Sequence, residues 1–247
     1  MPKIRAVLFD FGGTLFDYET VAPGERESII DLARWAGSQR EPREILRAYR
    51  GALKLVFYEY LPRPYYLHRD LFRDVLQAMA RELDLTFAEE QFARYREVQW
   101  QRRARDFGLR EGVVDTLMAL RDHGCHLGIV SNIDDDQLTH MVELSRVDRY
   151  FDSILSSEQA QSCKPDLKIF TEALQRAGCA PEEALFVGDS LQQDIPGANR
   201  MGLQSVLIWD RIDSDPSLAA ARPRHIIRRI PDLLPLMTQV ESEATVW

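Results

Sequence analysis

Ile4-Arg5-Ala6-Val7-Leu8-Phe9 is cut off by Asp10-Phe11-Gly12-Gly13, and this junction sets the fold class. A short run rich in β-branched and aromatic residues, stopped by a carboxylate and a glycine pair, predicts a buried strand ending in a tight loop. Four later runs read the same way: His126–Val130, Ser153–Leu155, Ala184–Val187 and Ser205–Ile208, with His225–Ile227 as an edge strand. Helical periodicity separates them. Val113–Asp122 closes at Gly124 and Leu167–Ala177 closes at Gly178, a glycine stop suited to a helix C-terminus. Strand then helix, repeated, predicts right-handed crossovers and a parallel sheet, so the class is α/β.

Residues 17–108 break the alternation. They offer no convincing strand, but helical patterns at Glu44–Tyr60, Arg69–Leu83 and Glu89–Arg105, punctuated by Pro62 and Pro64. A segment of that length is too long for a loop and reads as a separate helical cap. The chain is expected to fray beyond about Val240.

Composition narrows the function classes. The 247 residues are 45% hydrophobic and 28% charged, an ordinary globular balance. A net charge of −8, from 31 basic and 39 acidic side chains, argues against nucleic acid or an anionic membrane as partner. Three cysteines, Cys125, Cys163 and Cys179, form no C-x-x-C pair, which argues against a disulfide framework or zinc site and fits a cytoplasmic protein. The apolar run near Met1 is too short for a signal-peptide core, and no stretch is long enough to span a bilayer.

Ligands of open parallel sheets bind beyond the carboxyl ends of the strands. The polar residues there are Asp10 after the first strand, Ser131 and Asn132 after the second, and Gly188-Asp189-Ser190 with Asp194 after the fourth. Lys164 stands in the loop before the helix at Leu167. Two adjacent carboxylates repel each other, and a hard cation such as Mg²⁺ relieves that through oxygen ligands. Lys164 adds positive charge, while Ser131 and the backbone N–H groups of Gly12-Gly13 can donate to phosphoryl oxygens. The Asp134-Asp135-Asp136 run lacks calcium-loop spacing and reads as acids in a first helical turn. Lys54 reads as a solvated helix lysine.

Four motifs in order resemble the haloacid dehalogenase-like hydrolases: Phe9-Asp10-Phe11-Gly12-Gly13-Thr14-Leu15, then Val130-Ser131-Asn132, then Lys164-Pro165-Asp166, then Gly188-Asp189 followed by Asp194. The match covers residues 1–16 and 109 to about 210. The resemblance implies a Rossmann-like core of residues 1–16 and 109–247, with an inserted all-helical C1-type cap at 17–108 that closes over the site and sets substrate specificity. It implies that Asp10 is the nucleophile and forms an aspartyl-phosphate. It implies Mg²⁺ held by Asp10, the Gly12 carbonyl and Asp189, with Asp194 nearby or bound through water. Thr14 and Ser131 then hydrogen-bond in the loop and to phosphate, with Gly13 and Asn132 in the same phosphate-binding set, and Lys164 neutralises charge. The expected substrate is a small phosphorylated metabolite, and the expected state a monomer or homodimer.

One position departs from the pattern. Phosphatases of this family usually carry an aspartate two residues after the nucleophile, to protonate the leaving oxygen; here it is Gly12. Loss of a general acid–base costs ~10²–10⁴-fold. The expectation is a substrate whose leaving group needs little protonation, such as an acyl or aryl phosphate, or an acid borrowed from the cap, with His68 as a donor. Two other functions stay open. A 2-haloacid dehalogenase needs no metal and no second aspartate, although Asp189 and Asp194 argue against it. A weakly active binding or regulatory module is the other, favoured by Gly12.

Overall fold

A computed structural model describes residues 3–209 and 216–244. The chain divides into two compact units, Met1–Asp17 with Leu109–Trp247, and Tyr18–Gly108. Asp17, expected at the start of the helical segment, falls with the sheet unit, because the first insert helix begins only at Tyr18.

The sheet unit holds six strands, β1 (Ala6–Phe9), β2 (His126–Ser131), β3 (Ser153–Ser156), β4 (Ala184–Gly188), β5 (Gln204–Ile208) and β6 (His225–Ile227). The insert supplies α1 (Tyr18–Trp35), α2 (Pro42–Tyr60), α3 (His68–Glu82) and α4 (Glu89–Asp106). The sheet unit resumes with α5 (Val113–Asp122), α6 (Asp135–Ser145), α7 (Ser157–Ala160), α8 (Leu167–Ala177), α9 (Asp194–Met201), α10 (Pro216–Ala221) and α11 (Leu233–Ala244). Fraying was expected beyond about Val240; α11 continues to Ala244, and residues 245–247 lie outside the described part.

All five strand pairings are parallel, in the order β3-β2-β1-β4-β5-β6. The α/β expectation therefore holds. β1, β4 and β5 are buried along their whole length, as strands covered on both faces must be. Packing against the sheet is close. Leu8, Val130, Leu155 and Phe186 from the strands join Ile169, Phe170 and Ala173 of α8 and Ala198 of α9 in one cluster. Phe170 meets Phe186 at 5.0 Å between ring centroids. Each fully buried side chain of this size contributes about 1.5–3 kcal/mol.

The strand order reverses between β1 and β4: connections from β1 lead one way to β2 and β3, and β4 starts the opposite half. Such a switch point opens a crevice at the carboxyl ends of the strands. The register Phe9↔Ile129 and Phe9↔Val187 brings the ends of β2 and β4 level with that of β1.

The insert is a helical unit with its own core, including Leu32, Ile45, Val75, Met79 and Phe92, all buried. Tyr60 of α2 donates to Asp74 of α3 at 2.6 Å, and Arg102 of α4 pairs with Asp31 of α1 at 2.7 Å. Among the described residues, no helix is long and apolar enough to cross a membrane.

Candidate active site

Asp10 is the first residue past β1, and its N–H donates to Val187 O of β4 at 2.8 Å. The chain then folds back. Leu15 N and Phe16 N donate to Phe11 O at 3.0 and 3.1 Å, and Gly13 N donates to Phe16 O at 2.8 Å. Gly13 has φ +87°, in the left-handed region where a side chain is strained. A Cβ there would also land on the Asp189 carboxylate. Glycine thus lets the loop backbone lie against the second acid. Gly188 does the same for the third: a Cβ on it would strike the Asp194 carboxylate.

Four residues distant in sequence converge on Asp10. Lys164 Nζ lies 2.6 Å from Asp10 Oδ1 and 2.7 Å from Asp194 Oδ1, and all three residues are buried. Ser131 donates to Asp10 Oδ1 at 3.2 Å, and Thr14 donates to Asp10 Oδ2 at 3.3 Å. Asp189 follows β4, and oxygen atoms of Asp10, Asp189 and Asp194 all lie within 4.8 Å of one another. Asp194 opens α9, and its Oδ2 accepts from Ser190 N at 2.9 Å.

Asn132, expected in the phosphate-binding set, turns its side-chain amide to the backbone of Lys164. Its Nδ2 donates to Lys164 O at 3.0 Å and its Oδ1 accepts from Lys164 N at 2.8 Å. Both ends of the amide clamp the lysine backbone, so Asn132 orients Lys164. Asp134 is the N-cap of α6, with Asp135 and Asp136 in its first turn, as the charge pattern suggested. Lys54 is exposed on α2. His68 opens α3 within the helical unit, its ring edge-on to Phe72 at 4.8 Å. Sequence reading missed Arg110. Its Nε donates to Gly13 O at 3.0 Å, but no motif includes it.

Three carboxylates face one ammonium, and the energetics register the imbalance. Burial pushes the Asp10 carboxyl above the ordinary carboxylate range; Lys164 opposes that and the Asp194 charge reinforces it. Asp189 is also pushed up, by burial first and then by the charges of Asp10 and Asp194. Burial alone would lower Lys164, yet Asp10 and Asp194 outweigh it and hold its ammonium above the usual lysine range. Such a group of oxygen donors with surplus negative charge fits a hard divalent cation. It is the only convergence of three or more His, Cys, Asp or Glu among the described residues.

A buried aspartate at the switch point of a parallel sheet, gripped by a lysine and facing two more acids, makes a carboxylate-centred site on a parallel α/β fold. The chain belongs to the haloacid dehalogenase-like hydrolase family, whose model matches residues 4–202. Glyceraldehyde 3-phosphate phosphatase of Methanopyrus kandleri is 32% identical over 243 residues, spanning 93% of this chain and 98% of that protein. Pyrophosphatase PpaX of Bacillus mycoides is 26% identical over 240 residues, spanning 97% of this chain and all (100%) of that one. Among solved structures, a HAD phosphatase from Thermococcus onnurineus superposes with a TM-score of 0.70 at 25% identity, over 95% of this chain and 98% of that one. An L-2-haloacid dehalogenase from Xanthobacter autotrophicus shares the fold, with a TM-score of 0.69 at 20% identity over 95% and 98% of the two chains.

Proposed function

We propose that this protein is a Mg²⁺-dependent phosphohydrolase acting on a small phosphorylated metabolite, with Asp10 as covalent nucleophile. The carrying observation is the meeting of Asp10, Asp189 and Asp194 within 4.8 Å, with Lys164 between Asp10 and Asp194. Relatives that match nearly full length are named as phosphatases of glyceraldehyde 3-phosphate and as pyrophosphatases, which supports phosphate chemistry over dehalogenation.

In the proposed reaction an Asp10 oxygen attacks phosphorus, the bond from phosphorus to the leaving oxygen breaks, and that oxygen takes up a proton from solvent water, which the later release of a proton by the attacking water balances. Water then attacks phosphorus of the aspartyl-phosphate, releasing inorganic phosphate and restoring the carboxylate. Lys164 and Ser131 hold the carboxylate in one orientation, which lowers the cost of reaching the attack geometry. Asn132 keeps Lys164 aimed. Asp10, Asp189 and the Gly12 carbonyl are the proposed magnesium ligands, with Asp194 behind them, and the cation when bound offsets charge on the transferring phosphoryl group. The residue 18–108 unit is the proposed determinant of substrate specificity.

The test is a phosphate-release screen over sugar phosphates, acyl phosphates and nucleotides, with and without Mg²⁺, beside a 2-haloacid. Phosphate release that EDTA abolishes and Asp10→Asn eliminates is the expected result. Chloride release without metal would replace this reading with the dehalogenase.

A further inference from the structure

Gly13 sits where the geometry of the acidic cluster is decided, and it is the residue least able to hold its own conformation. With no Cβ it moves freely between left- and right-handed backbone. Its two flanking peptide planes must therefore be fixed from outside. The plane joining Gly12 to Gly13 is fixed by Gly13 N donating to Phe16 O at 2.8 Å. Because a trans peptide sets its C=O opposite its N–H, that bond also fixes the direction of the Gly12 carbonyl. The plane joining Gly13 to Thr14 is fixed by Arg110 Nε donating to Gly13 O at 3.0 Å.

Arg110 grips the loop twice. Its own N–H donates to Leu15 O at 2.9 Å, and its neighbour Leu109 forms an antiparallel bridge with Phe16. Residues 109–110 thus run beside the far arm of the nucleophile loop, and the guanidinium reaches across to the near arm. A hydrogen bond from a charged donor contributes about twice what a neutral one does. The Asp189 carboxylate packs directly on the Gly13 Cα, in the place where a Cβ would go.

We propose that Arg110 is a positioning residue for the divalent cation: it locks the Gly13–Thr14 peptide, the Gly13 N–H bond to Phe16 O locks the Gly12 carbonyl, and the two together hold the Gly13 Cα against Asp189. This rests on the proposed metal reading, and it assigns a task to a residue outside all four motifs. Arg110 acts through the loop backbone rather than on substrate.

The experiment is isothermal titration of Mg²⁺ into the metal-free full chain, for wild type, Arg110→Met and Arg110→Lys, with kcat and KM measured alongside. Loss of one charge-assisted bond predicts Mg²⁺ binding weaker by roughly tenfold in Arg110→Met. Arg110→Lys should fall between it and wild type, because the ammonium can still reach a carbonyl without the fixed planar N–H. At saturating Mg²⁺, kcat should recover toward wild type, as a positioning role requires. If Arg110→Met fails to fold, Arg110→Lys alone decides: at least threefold weaker binding supports the inference and unchanged binding overturns it. A wild type that takes up no Mg²⁺ overturns the metal reading and the inference together. Wild-type binding with Mg²⁺ affinity unchanged in a folded Arg110→Met overturns the inference alone, even if that variant is less heat-stable.

Discussion

Lys164 has almost no exposed side chain and two carboxylates within 2.7 Å, so its removal leaves buried acids without a cation. Breaking a buried ion pair by removing one partner costs about 3–5 kcal/mol. Lys164→Met should lose about that much in urea denaturation of the metal-free protein, and part should return with Mg²⁺. Gly12 governs a second outcome. Thr14, Ser131 and Lys164 all donate to Asp10, so none of those donors is directed at a leaving group. The rate should therefore fall steeply as leaving-group pKa rises across a series of aryl and alkyl phosphates. Gly12→Asp, which places a carboxyl two residues after Asp10, should flatten that dependence. A flat dependence in wild type would contradict this account. Gly13→Ala is expected to cost about 1–2 kcal/mol from backbone handedness alone. Because its Cβ meets Asp189, it should also weaken Mg²⁺ binding.

The β2–β3 pairing carries a pH dependence of its own at the element scale. His126 opens β2 and its Nε2 lies 2.9 Å from Ser153 Oγ on β3. Burial holds the imidazole below its ordinary value of 6.5, with Asp152 only partly opposing. Below that pH the unfolded chain binds more protons than the folded one, so stability falls as the medium becomes more acid. The contribution is complete above about pH 6.5 and is lost as pH drops through the folded value. His126→Gln should therefore flatten the acid side of a stability-versus-pH curve measured by denaturant melts. The strands themselves were legible in the sequence because buried parallel strands are short apolar runs bounded by polar or glycine stops, and all six lie where those runs are. Their ends were less so: Ile4 and Arg5 read as strand, yet β1 begins at Ala6. Helix α1 escaped notice because Pro23 and Gly24 interrupt its pattern, although both fall inside the helix. Tertiary packing decides there, with Arg102 of α4 donating to Ser28 and pairing with Asp31.

At the scale of the whole molecule, function follows from topology. A strand order that reverses between β1 and β4 is what sets Asp10 and Asp189 side by side after 178 intervening residues of chain. That juxtaposition was readable, because each acid stands directly after an apolar run. Two features were not. The clamp of Asn132 on the Lys164 backbone and the grip of Arg110 on Gly13 are contacts between loops, and periodicity says nothing about which loops meet. In the proposed mechanism this assembly makes Asp10 a phosphorus nucleophile. Rapid acid quench during turnover of an active phosphate substrate, followed by peptide mapping, tests it most directly. A phosphoryl group is expected on the peptide containing Asp10 when Mg²⁺ is present, and none with EDTA or in Asp10→Asn. Phosphate release by wild type with the Asp10 peptide unmodified, or undiminished release by Asp10→Asn, would contradict it.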